Sequence, residues 1–379
     1  MIELELNDIA EITSSKRIFY SDYVEEGIPF YRSREIINLD NGEDLKELIF
    51  ITQEKYLDIK NKFGAPEKDD ILITSVGTIG NTYIVRENDE FYFKDGNLTW
   101  LRNWKGKTEP KFVFYWLKSP IGQGKLYQQL IGSSQKALTI AALKKIKIEF
   151  PEDKTTQRKI ASILSAYDDL IENNLKRIKL LEEKAQLHYK EVMQDSSKWD
   201  KVKLEEFVSV VKGRKPANVL EQPEDDSLLY LLLDTVERTK TLYTSDLTLP
   251  LSKDTDVLMC MDGARSGLAF RGMNGAIGST MAIWRSNSER VSGEFLYQYM
   301  KQNESAIIQG NTGAAIPHAN RKFILDMKMA MPPKKEAEYF DSLTLPLIKL
   351  INTLHNQNTK LREARDILLP RLMNGQIEV

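Results

Sequence analysis

The chain has 379 residues, 41% hydrophobic and 28% charged, which is enough material for two cores of roughly 130–150 residues each. Its 53 basic and 55 acidic residues leave a net charge of −2. This balance argues against a protein that coats nucleic acid indiscriminately, because such binding depends on neutralising phosphates. It is compatible with sequence-specific binding through a local basic face.

Three further features predict a cytoplasmic globular protein. No apolar run approaches the ~20 residues of a membrane helix, and the start, MIELELNDIAEI, lacks the layout of a signal peptide. The single cysteine, Cys260, excludes an internal disulfide and fits a reducing compartment. Because it lies in the apolar run VLMCM, we expect a buried side chain rather than a nucleophile.

The sequence is internally duplicated. Residues 68–80, KDDILITSVGTIG, reappear as DTDVLMCMDGARSG in residues 254–267, and FVFYWLK (112–118) is matched by FLYQYMK (295–301). Each half ends with a glycine loop, IGSSQKAL (131–138) or QGNTGAAI (309–316). A period near half the chain is too long for a solenoid and indicates a duplicated domain with pseudo-twofold symmetry.

The first copy, residues 1–150, has the pattern of a mixed α/β domain of the α+β type. ILITSVG, TYIV, FYFK and LTWLRNW predict strands, whereas FVFYWLK has helical spacing. The second copy, residues 199–331, repeats the strand and glycine unit as VLMCMDG and the helix as FLYQYMK.

Between the copies, residues 151–198 contain a heptad pattern from Thr155 to Met193. One heptad position holds Ile160, Tyr167, Asn174, Leu181 and His188, and the other holds Leu164, Ile171, Ile178, Ala185 and Val192. Such a seam is typical of a coiled coil and needs a partner helix. A 39-residue helix would be roughly 58 Å long.

The C-terminal segment, residues 332–379, supplies a matching helix. Its seam consists of Phe340, Leu343, Leu347, Ile351, Leu354, Leu361, Leu368 and Leu372, interrupted by Asn358 and Arg365. Pro346 and Pro370 predict a start or kink near its ends, and Asn374-Gly375 predicts its C-cap. We favour antiparallel pairing of the two helices over two independent surface helices.

Basic and polar residues recur at corresponding predicted loops of both copies. Arg, Lys, Asn, Gln and Ser are the types that reach phosphates and base edges, although loops are polar in most proteins. The candidate DNA-binding residues are Lys16, Arg17, Arg32, Arg34, Ser134, Gln135 and Lys136 in the first copy, and Arg214, Lys215, Arg238, Arg265, Asn320, Arg321 and Lys322 in the second. Arg271 was a further basic residue of the second set.

Catalytic motifs are absent from the sequence. The three histidines, His188, His318 and His355, are widely separated, and no Cys/His spacing suits zinc. There is neither a Walker A motif nor a dinucleotide-binding glycine loop. We therefore expect no catalysis, no metal and no cofactor on this chain.

The sequence resembles the specificity subunits of type I restriction–modification systems over essentially its whole length. Residues 151–193 are similar to the central conserved region of that family, with Gln157, Ile160, Leu164, Asp168, Ile171 and Leu181 at matching positions. Residues 360–379 resemble its closing segment. The second copy departs from the pattern, with Glu338 in the place of Gln157 and Pro346 within the helix.

The resemblance implies two target-recognition domains separated by two antiparallel helices. Each domain would read one half of a bipartite site in double-stranded DNA, and the helices would set the gap between the halves. Methyltransferase subunits, expected as two copies, would dock on this chain, and restriction subunits can join them. S-adenosylmethionine and ATP would belong to those partners.

Two other classes of protein are weighed against this one: a scaffold that binds only proteins, and an enzyme with an unrecognised site. Substitution of basic residues distinguishes a specificity subunit from a scaffold, since a DNA-reading subunit would lose recognition at one half-site only. The two glycine loops differ in sequence, which predicts two different half-sites rather than a palindrome.

Overall fold

The computed structural model describes residues 1–41, 45, 47–132, 136–313 and 315–379. The chain forms two compact units, one of Met1–Leu175 with Asn356–Val379 and the other of Lys176–His355. The division falls inside both long helices, so each unit contains a mixed α/β domain and one half of each helix. The four segments expected from the sequence therefore differ from the compact units, and their boundaries stay a prediction.

The first unit contains ten strands and six short helices in its described part. The strands are β1 (Ile2–Glu5), β2 (Glu11–Thr13), β3 (Tyr23–Val24), β4 (Ile28–Tyr31), β5 (Ile49–Ile51), β6 (Ile71–Thr74), β7 (Thr82–Ile84), β8 (Tyr92–Phe93), β9 (Leu98–Arg102) and β10 (Lys147–Phe150). The helices are α1 (Leu6–Ile9), α2 (Ser33–Asn41), α3 (Gln53–Phe63), α4 (Pro110–Lys118), α5 (Pro120–Gln128) and α6 (Ile140–Lys144).

The central long helix, α7 (Lys154–Val192), starts within a residue of the predicted position. The second unit follows with β11 (Lys201–Lys203), β12 (Val208–Lys212), β13 (Leu228–Leu231), β14 (Tyr243–Thr244), β15 (Leu251–Ser252), β16 (Val257–Cys260), β17 (Ala269–Arg271), β18 (Gly275–Ile277), β19 (Met281–Ser286) and β20 (Lys328–Ala330). Its helices are α8 (Leu233–Val236), α9 (Gly293–Gln302), α10 (Glu304–Gln309), α11 (Arg321–Asp326) and the long α12 (Lys334–Met373).

The duplication predicted from the sequence is confirmed by the sheets. One sheet has the order β2-β9-β6-β7 in the first unit and β12-β19-β16-β17 in the second, and the terminal pairs β1-β10 and β11-β20 also correspond. The repeated segments ILIT and VLMC form β6 and β16, and every residue of both is buried. A continuous apolar run of this kind suits an inner strand covered on both faces.

The second sheet differs between the copies. It is β3-β5-β4-β8 in the first unit and β14-β13-β18-β15 in the second. Both contain one parallel pair, β4 with β8 and β13 with β18. The fourth strand is added beside β5 in one unit and beside β18 in the other, so the repeat is a shared core with different edges.

The two long helices pair in antiparallel orientation within each unit, as predicted. In the first unit Asp168 bonds Arg365 at 2.6 Å, and further along α7, Asn174 bonds Asn358 at 2.9 Å. Advancing along α7 therefore means moving back along α12. In the second unit Ile178 packs with Ile351 and Leu354.

The predicted seam of α7 is buried, with one shift. Ile160, Leu164, Ile171, Asn174, Ile178, Ala185 and Val192 are buried, and Leu181 is half-buried. Near the end of the helix Tyr189 is buried, 1% exposed, in place of the predicted His188. An ordinary helix of 3.6 residues per turn drifts away from a strict 3.5-residue repeat, and this moves the buried face to the next residue.

The seam of α12 shows the same drift. Phe340, Ile351, Leu354, Asn358 and Leu372 are buried, whereas Leu361 and Leu368 are half-buried and Leu369 is 7% exposed. Thr344 is fully buried beside the half-buried Leu343 that the heptad favoured. Its hydroxyl donates to the carbonyl of Phe340 at 2.9 Å, which satisfies the polar group.

A helix start at Pro346 is wrong, because α12 begins at Lys334 and continues through both Pro346 and Pro370. Pro346 is exposed, so the carbonyl that loses its helical donor faces water. The predicted glycine cap is confirmed, since α12 ends at Met373 and Gly375 adopts a φ of +74°.

The matching of Glu338 to Gln157 is also wrong. Gln157 is buried; its amide nitrogen donates to the Pro151 carbonyl at 2.7 Å and its amide oxygen accepts from the Glu109 N–H at 2.9 Å. Glu338 is exposed. In the second unit it is Arg290 that bonds the carbonyls before the helix, at 2.7 Å to Pro332.

Candidate nucleic-acid interface

The first predicted basic cluster lies on the loop after β2. Lys16 and Arg17 are exposed, Ile18 is buried, and Phe19 and Tyr20 are exposed. The backbone N–H of Lys16 donates to the Tyr92 hydroxyl at 2.8 Å, which ties the loop to the domain. The buried Ile18 anchors it, so the side chains on either side point outwards.

Arg17 and Arg32 line one open cleft of about 610 Å³. Lys94 and Asp95 also line it, and Arg17 Nε lies 2.9 Å from Asp95 Oδ2. Within the described part of the chain, Lys94 has no ion-pair partner. Arg17 is paired with Asp95 and Arg32 with Glu35, so Lys94 supplies the uncompensated positive charge of the cleft, which suits an anionic ligand.

Arg32 and Arg34 share the carboxylate of Glu35, which is 1% exposed. Arg32 binds it with both Nε, at 3.1 Å, and Nη2, at 2.7 Å. Although burial opposes ionisation, these bonds hold the pKa of Glu35 below its ordinary value. Two of the five N–H donors of the Arg32 guanidinium are therefore committed inside the domain.

The glycine loop of the first copy contains Lys136, which is exposed. Ser134 and Gln135 lie outside the described residues. Ala137 forms an antiparallel bridge with Val76 of the strand and glycine unit, so two segments far apart in sequence meet here. As far as the described residues go, the Lys136 ammonium has no partner.

The corresponding loop of the second copy makes the same bridge. His318 pairs with Asp262, which belongs to the repeated strand and glycine unit. The His318 Nδ1 also lies 2.7 Å from an oxygen of Asp262. The described parts of the two glycine loops thus make the same backbone bridge, and the two loops differ in sequence.

The predicted loop after β12 contains Arg214 and Lys215, both exposed. Arg214 Nη2 donates to the Thr248 carbonyl at 2.7 Å. A carbonyl leaves the positive charge of the guanidinium uncompensated. Pro216 is buried and anchors this loop as Ile18 anchors the first.

Arg265 and Arg238 lie beside one acidic residue of the second unit. Arg265 forms an ion pair with Glu237. Arg238 follows Glu237 directly in the chain, is half-buried and has a φ of +62°. Both arginines therefore belong to a local charged cluster, within which Arg265 remains exposed.

Arg271 is placed in the interior, which corrects its assignment to the reading loops. It is 14% exposed and binds Glu294 at 2.7 Å and Glu182 of α7 at 2.9 Å. Although burial disfavours its charge, Glu294 holds the pKa of Arg271 above its usual range. Its guanidinium lies 4.4 Å from the ring centre of Tyr297. Arg271 therefore links the domain of the second unit to α7 through these two ion pairs.

The last predicted cluster surrounds the start of α11. Asn320 caps this helix, its side-chain oxygen accepting from the Phe323 N–H at 3.1 Å. Arg321 and Lys322, the first two residues of the helix, are exposed. Both residues present their charged groups to solvent.

One aspartate precedes the central strand in each copy, and the two have different partners. Asp70 is buried, and its Oδ2 accepts from Trp100 Nε1 at 2.7 Å and from the Glu67 N–H at 3.0 Å. Burial without a bonded cation raises the pKa of Asp70 to about 6. Asp256 instead receives Nε and Nη2 of Arg285, both at 2.7 Å.

Sequence reasoning missed Phe19, Tyr20 and Lys94. Most aromatic residues of this chain alternate with apolar ones, a pattern that favours burial in the core. Their position directly after Lys16-Arg17 was the available signal. Cys260 is buried as predicted, and burial raises the pKa of its thiol.

The described residues contain neither a candidate metal site nor a candidate membrane span. No three His, Cys, Asp or Glu side chains there are gathered as a metal ion would require. None of the helices in that part of the chain is both long and apolar enough to cross a membrane.

Comparison with known proteins gives consistent matches. A sequence model described as the type I restriction modification DNA specificity domain matches residues 2–183. A candidate type I restriction enzyme specificity subunit of Haemophilus influenzae is 30% identical over 190 residues, 49% of this chain and 45% of that protein. The candidate MjaX specificity subunit of Methanocaldococcus jannaschii is 24% identical over 401 residues, 99% of this chain and 93% of that protein.

A solved structure shares the fold. The S subunit of a type I restriction–modification system from M. genitalium superposes with a TM-score of 0.62 at 16% identity, covering 98% of this chain and 95% of that one. The alignment with the Haemophilus relative spans about half of its length, whereas the alignment with MjaX spans nearly all of it.

Fold and site together define a class: proteins with a duplicated α/β recognition domain, exposed basic loops and a long antiparallel helix pair. Within that class, residues 2–183 match the type I restriction modification DNA specificity domain, and nearly the whole chain is similar to a type I restriction enzyme specificity subunit.

Proposed function

We propose that this chain reads DNA sequence for a type I restriction–modification complex and performs no chemistry itself. The first domain reads one half-site in double-stranded DNA, the second reads the other, and α7 with α12 sets the gap. The match to the type I specificity domain and the repeated sheet order β2-β9-β6-β7 and β12-β19-β16-β17 support this proposal. Two copies of one DNA-reading domain suit a bipartite target.

The half-sites are proposed to differ. The shared core presents different side chains at equivalent loops: Lys136 in the first copy stands one residue before the bridge to the strand and glycine unit, where Pro317 stands in the second. Because sequence is read by hydrogen bonds and apolar contacts at base edges, different loop side chains read different bases. The target is therefore asymmetric.

The partners proposed for this chain follow from the family. Two methyltransferase subunits dock on it and supply S-adenosylmethionine, and restriction subunits with ATP join the complex. The assembly works in the cytoplasm on the host's own DNA. None of these partners or cofactors is required for the chain to present its exposed basic loops.

Sequencing of modified bases in the native host, with this gene intact and deleted, tests the function. We expect one asymmetric, interrupted methylated motif to disappear on deletion. An unchanged methylome, with the partner methyltransferase shown to be expressed, would instead favour the scaffold.

Lys136→Ala and Arg321→Ala form a reciprocal pair that tests the assignment of domains to half-sites. Both side chains are exposed, and neither has an ion-pair partner among the described residues. Each substitution should weaken reading of one half-site only, by about 1–3 kcal/mol if the residue contacts a base. Arg32→Ala is a poorer probe, because it would leave the buried Glu35 without its bidentate partner.

Methylation rates on duplexes with single substitutions through both half-sites provide the readout. If Lys136→Ala and Arg321→Ala affected the same half-site, the two domains would not read separate halves. If either variant lost methylation equally at both half-sites, the two domains would likewise not read separate halves.

A further inference from the structure

The loop after the first strand of each large sheet has the same construction in both domains. Residues 16–20 and residues 214–218 both show two exposed residues, one buried residue and two more exposed residues. In the first domain the last two are Phe19 and Tyr20, which are 62% and 87% exposed. In the second domain the same places hold Ala217 and Asn218.

Phe19 and Tyr20 are exposed although a hydrogen bond and an ion pair hold the turn that carries them. The Phe19 N–H donates to Asp22 Oδ2 at 2.9 Å, which closes a 3-10 turn over Tyr20–Asp22. Lys55 Nζ lies 3.3 Å from the same carboxylate group. Tyr20 also meets Tyr23 edge to face, with ring centres 5.6 Å apart. The rings are held outwards by the fold, and exposing them has an energetic cost that a partner would remove.

Phe19 and Tyr20 line the same cleft as Arg17, Arg32 and Lys94. Aromatic faces beside cations suit a ligand with stacked rings and a polyanionic backbone, because bases stack on the rings while phosphates meet the cations. An apolar protein surface would not explain the cations, and a free phosphate would not explain two exposed rings.

We propose that Phe19 and Tyr20 form a wedge that presses against a base step of the half-site read by the first domain and partly unstacks it. Arg17 and Lys94 would hold the flanking phosphates. This inference rests on the proposed function, which supplies double-stranded DNA as the ligand. Unstacking favours flexible steps, so the wedge adds sequence preference without a hydrogen bond to a base.

The second domain lacks this device. Ala217 is too small to form a wedge, and the Asn218 side chain is engaged within the domain. Its nitrogen donates to Ser245 Oγ at 3.0 Å, and its oxygen accepts from Thr244 Oγ1 at 3.1 Å. DNA distortion is therefore confined to one half-site.

The test uses the full chain assembled with its methyltransferase subunits and a duplex containing its target. 2-Aminopurine, whose fluorescence rises on unstacking, replaces one base at a time through both half-sites. We expect a rise at one step of a single half-site. The double variant Phe19→Ala/Tyr20→Ala should abolish the rise and weaken binding roughly tenfold with an unchanged salt dependence.

Controls separate the wedge from general surface effects. Tyr127→Ala removes a ring that is 57% exposed on α5 and does not line the cleft, and it should leave both readouts unchanged. Tyr20→Phe keeps the ring and should keep the signal. Arg17→Gln should lower the salt dependence by about one phosphate contact.

The outcomes distinguish this inference from the proposed function. Sequence-specific binding without any 2-aminopurine signal, or with a signal and affinity that the double variant retains, would overturn the wedge and leave DNA reading intact. Loss of signal in the Tyr127→Ala variant to the same extent would also overturn it. Absence of sequence-specific binding by the unmodified complex would refute the proposed function itself.

Discussion

Asn174 Nδ2 donates to Asn358 Oδ1 at 2.9 Å inside the helix pair of the first unit, where the two residues are 7% and 1% exposed. Asn358 also donates to the Ile171 carbonyl at 3.4 Å. The second unit has Ile178 and Leu354 packed in its corresponding turn. A buried polar pair allows one alignment of the helices, because any sliding would leave an amide without a partner.

Asn358→Leu alone should destabilise the first unit by about 1–3 kcal/mol, because it leaves the buried Asn174 amide unpaired. The double variant Asn174→Ile/Asn358→Leu should recover most of this loss, since it recreates the apolar packing of the second unit. Hydrogen exchange of amides in α7 and α12 would measure both effects. A single variant as protected as the unmodified protein would contradict the role of the pair.

Arg271→Gln should destabilise the second unit strongly, by about 3–5 kcal/mol, because it leaves Glu294, 4% exposed, without its partner. The first unit offers a matched control in Arg86, which binds Glu172 of the same helix at 2.9 Å but is 57% exposed. Arg86→Gln should cost only about 0–1 kcal/mol. Calorimetric unfolding of the two variants checks the contrast, and equal losses would contradict it.

Asp70 should make the first unit less stable as the pH rises from about 4 to about 6. Its pKa is raised from 3.8 to about 6 in the folded state, so the folded chain holds the proton more tightly than the unfolded chain does. The stabilisation is complete below the unfolded pKa and is lost as the pH passes the folded pKa. This pKa difference contributes on the order of 3 kcal/mol to the free energy of unfolding.

Asp70→Asn should remove this pH dependence and raise the melting temperature at pH 7.5. An asparagine oxygen in the place of Oδ2 can keep both hydrogen bonds, from Trp100 and from Glu67. Asp256→Asn is the contrasting variant, because it breaks the paired bonds of Arg285 and should destabilise the protein. Melting temperatures of both variants between pH 4 and 8 would test this. If Asp70→Asn kept the pH profile of the unmodified protein, Asp70 would not be the source of the pH dependence.

Pro346→Ala should stabilise α12 by up to about 3 kcal/mol, since it restores a helical N–H donor at an exposed interior position. Pro333→Ala, immediately before the first residue of α12, should change little, because an N–H there has no helical acceptor. Urea denaturation of both variants would measure the difference. A gain from Pro333→Ala equal to that from Pro346→Ala would contradict this explanation.

Repetition and periodicity were sufficient to predict the architecture. ILIT and VLMC became β6 and β16, and the helical spacings became α4, α7, α9 and α12. Hydrophobic periodicity works here because each element buries one face or one run, and the chain repeats the pattern twice. The predicted seam failed where the drift of an ordinary helix selected Tyr189 over His188 in α7, and Thr344 over Leu343 and Leu369 over Leu368 in α12.

The candidate interface was less predictable. The side chain of a basic residue in a loop can be exposed, paired with a carboxylate or buried, and composition does not distinguish these outcomes. Arg271 is the last residue of β17 and Arg17 lies in the loop after β2, yet Arg271 is held between Glu294 and Glu182 and Arg17 is exposed. Partners more than twenty residues away in sequence decide the difference.

The sequence by itself determined the duplicated domains, the two helices and the family, because each depends on local order along the chain. Only the tertiary structure decided which charges are available. Arg271 engages Glu182, Asp256 engages Arg285 and Asp70 lacks a bonded cation, all through contacts made after folding. Burial and charge pairing depend on neighbours brought together in space, and these neighbours are distant in the sequence.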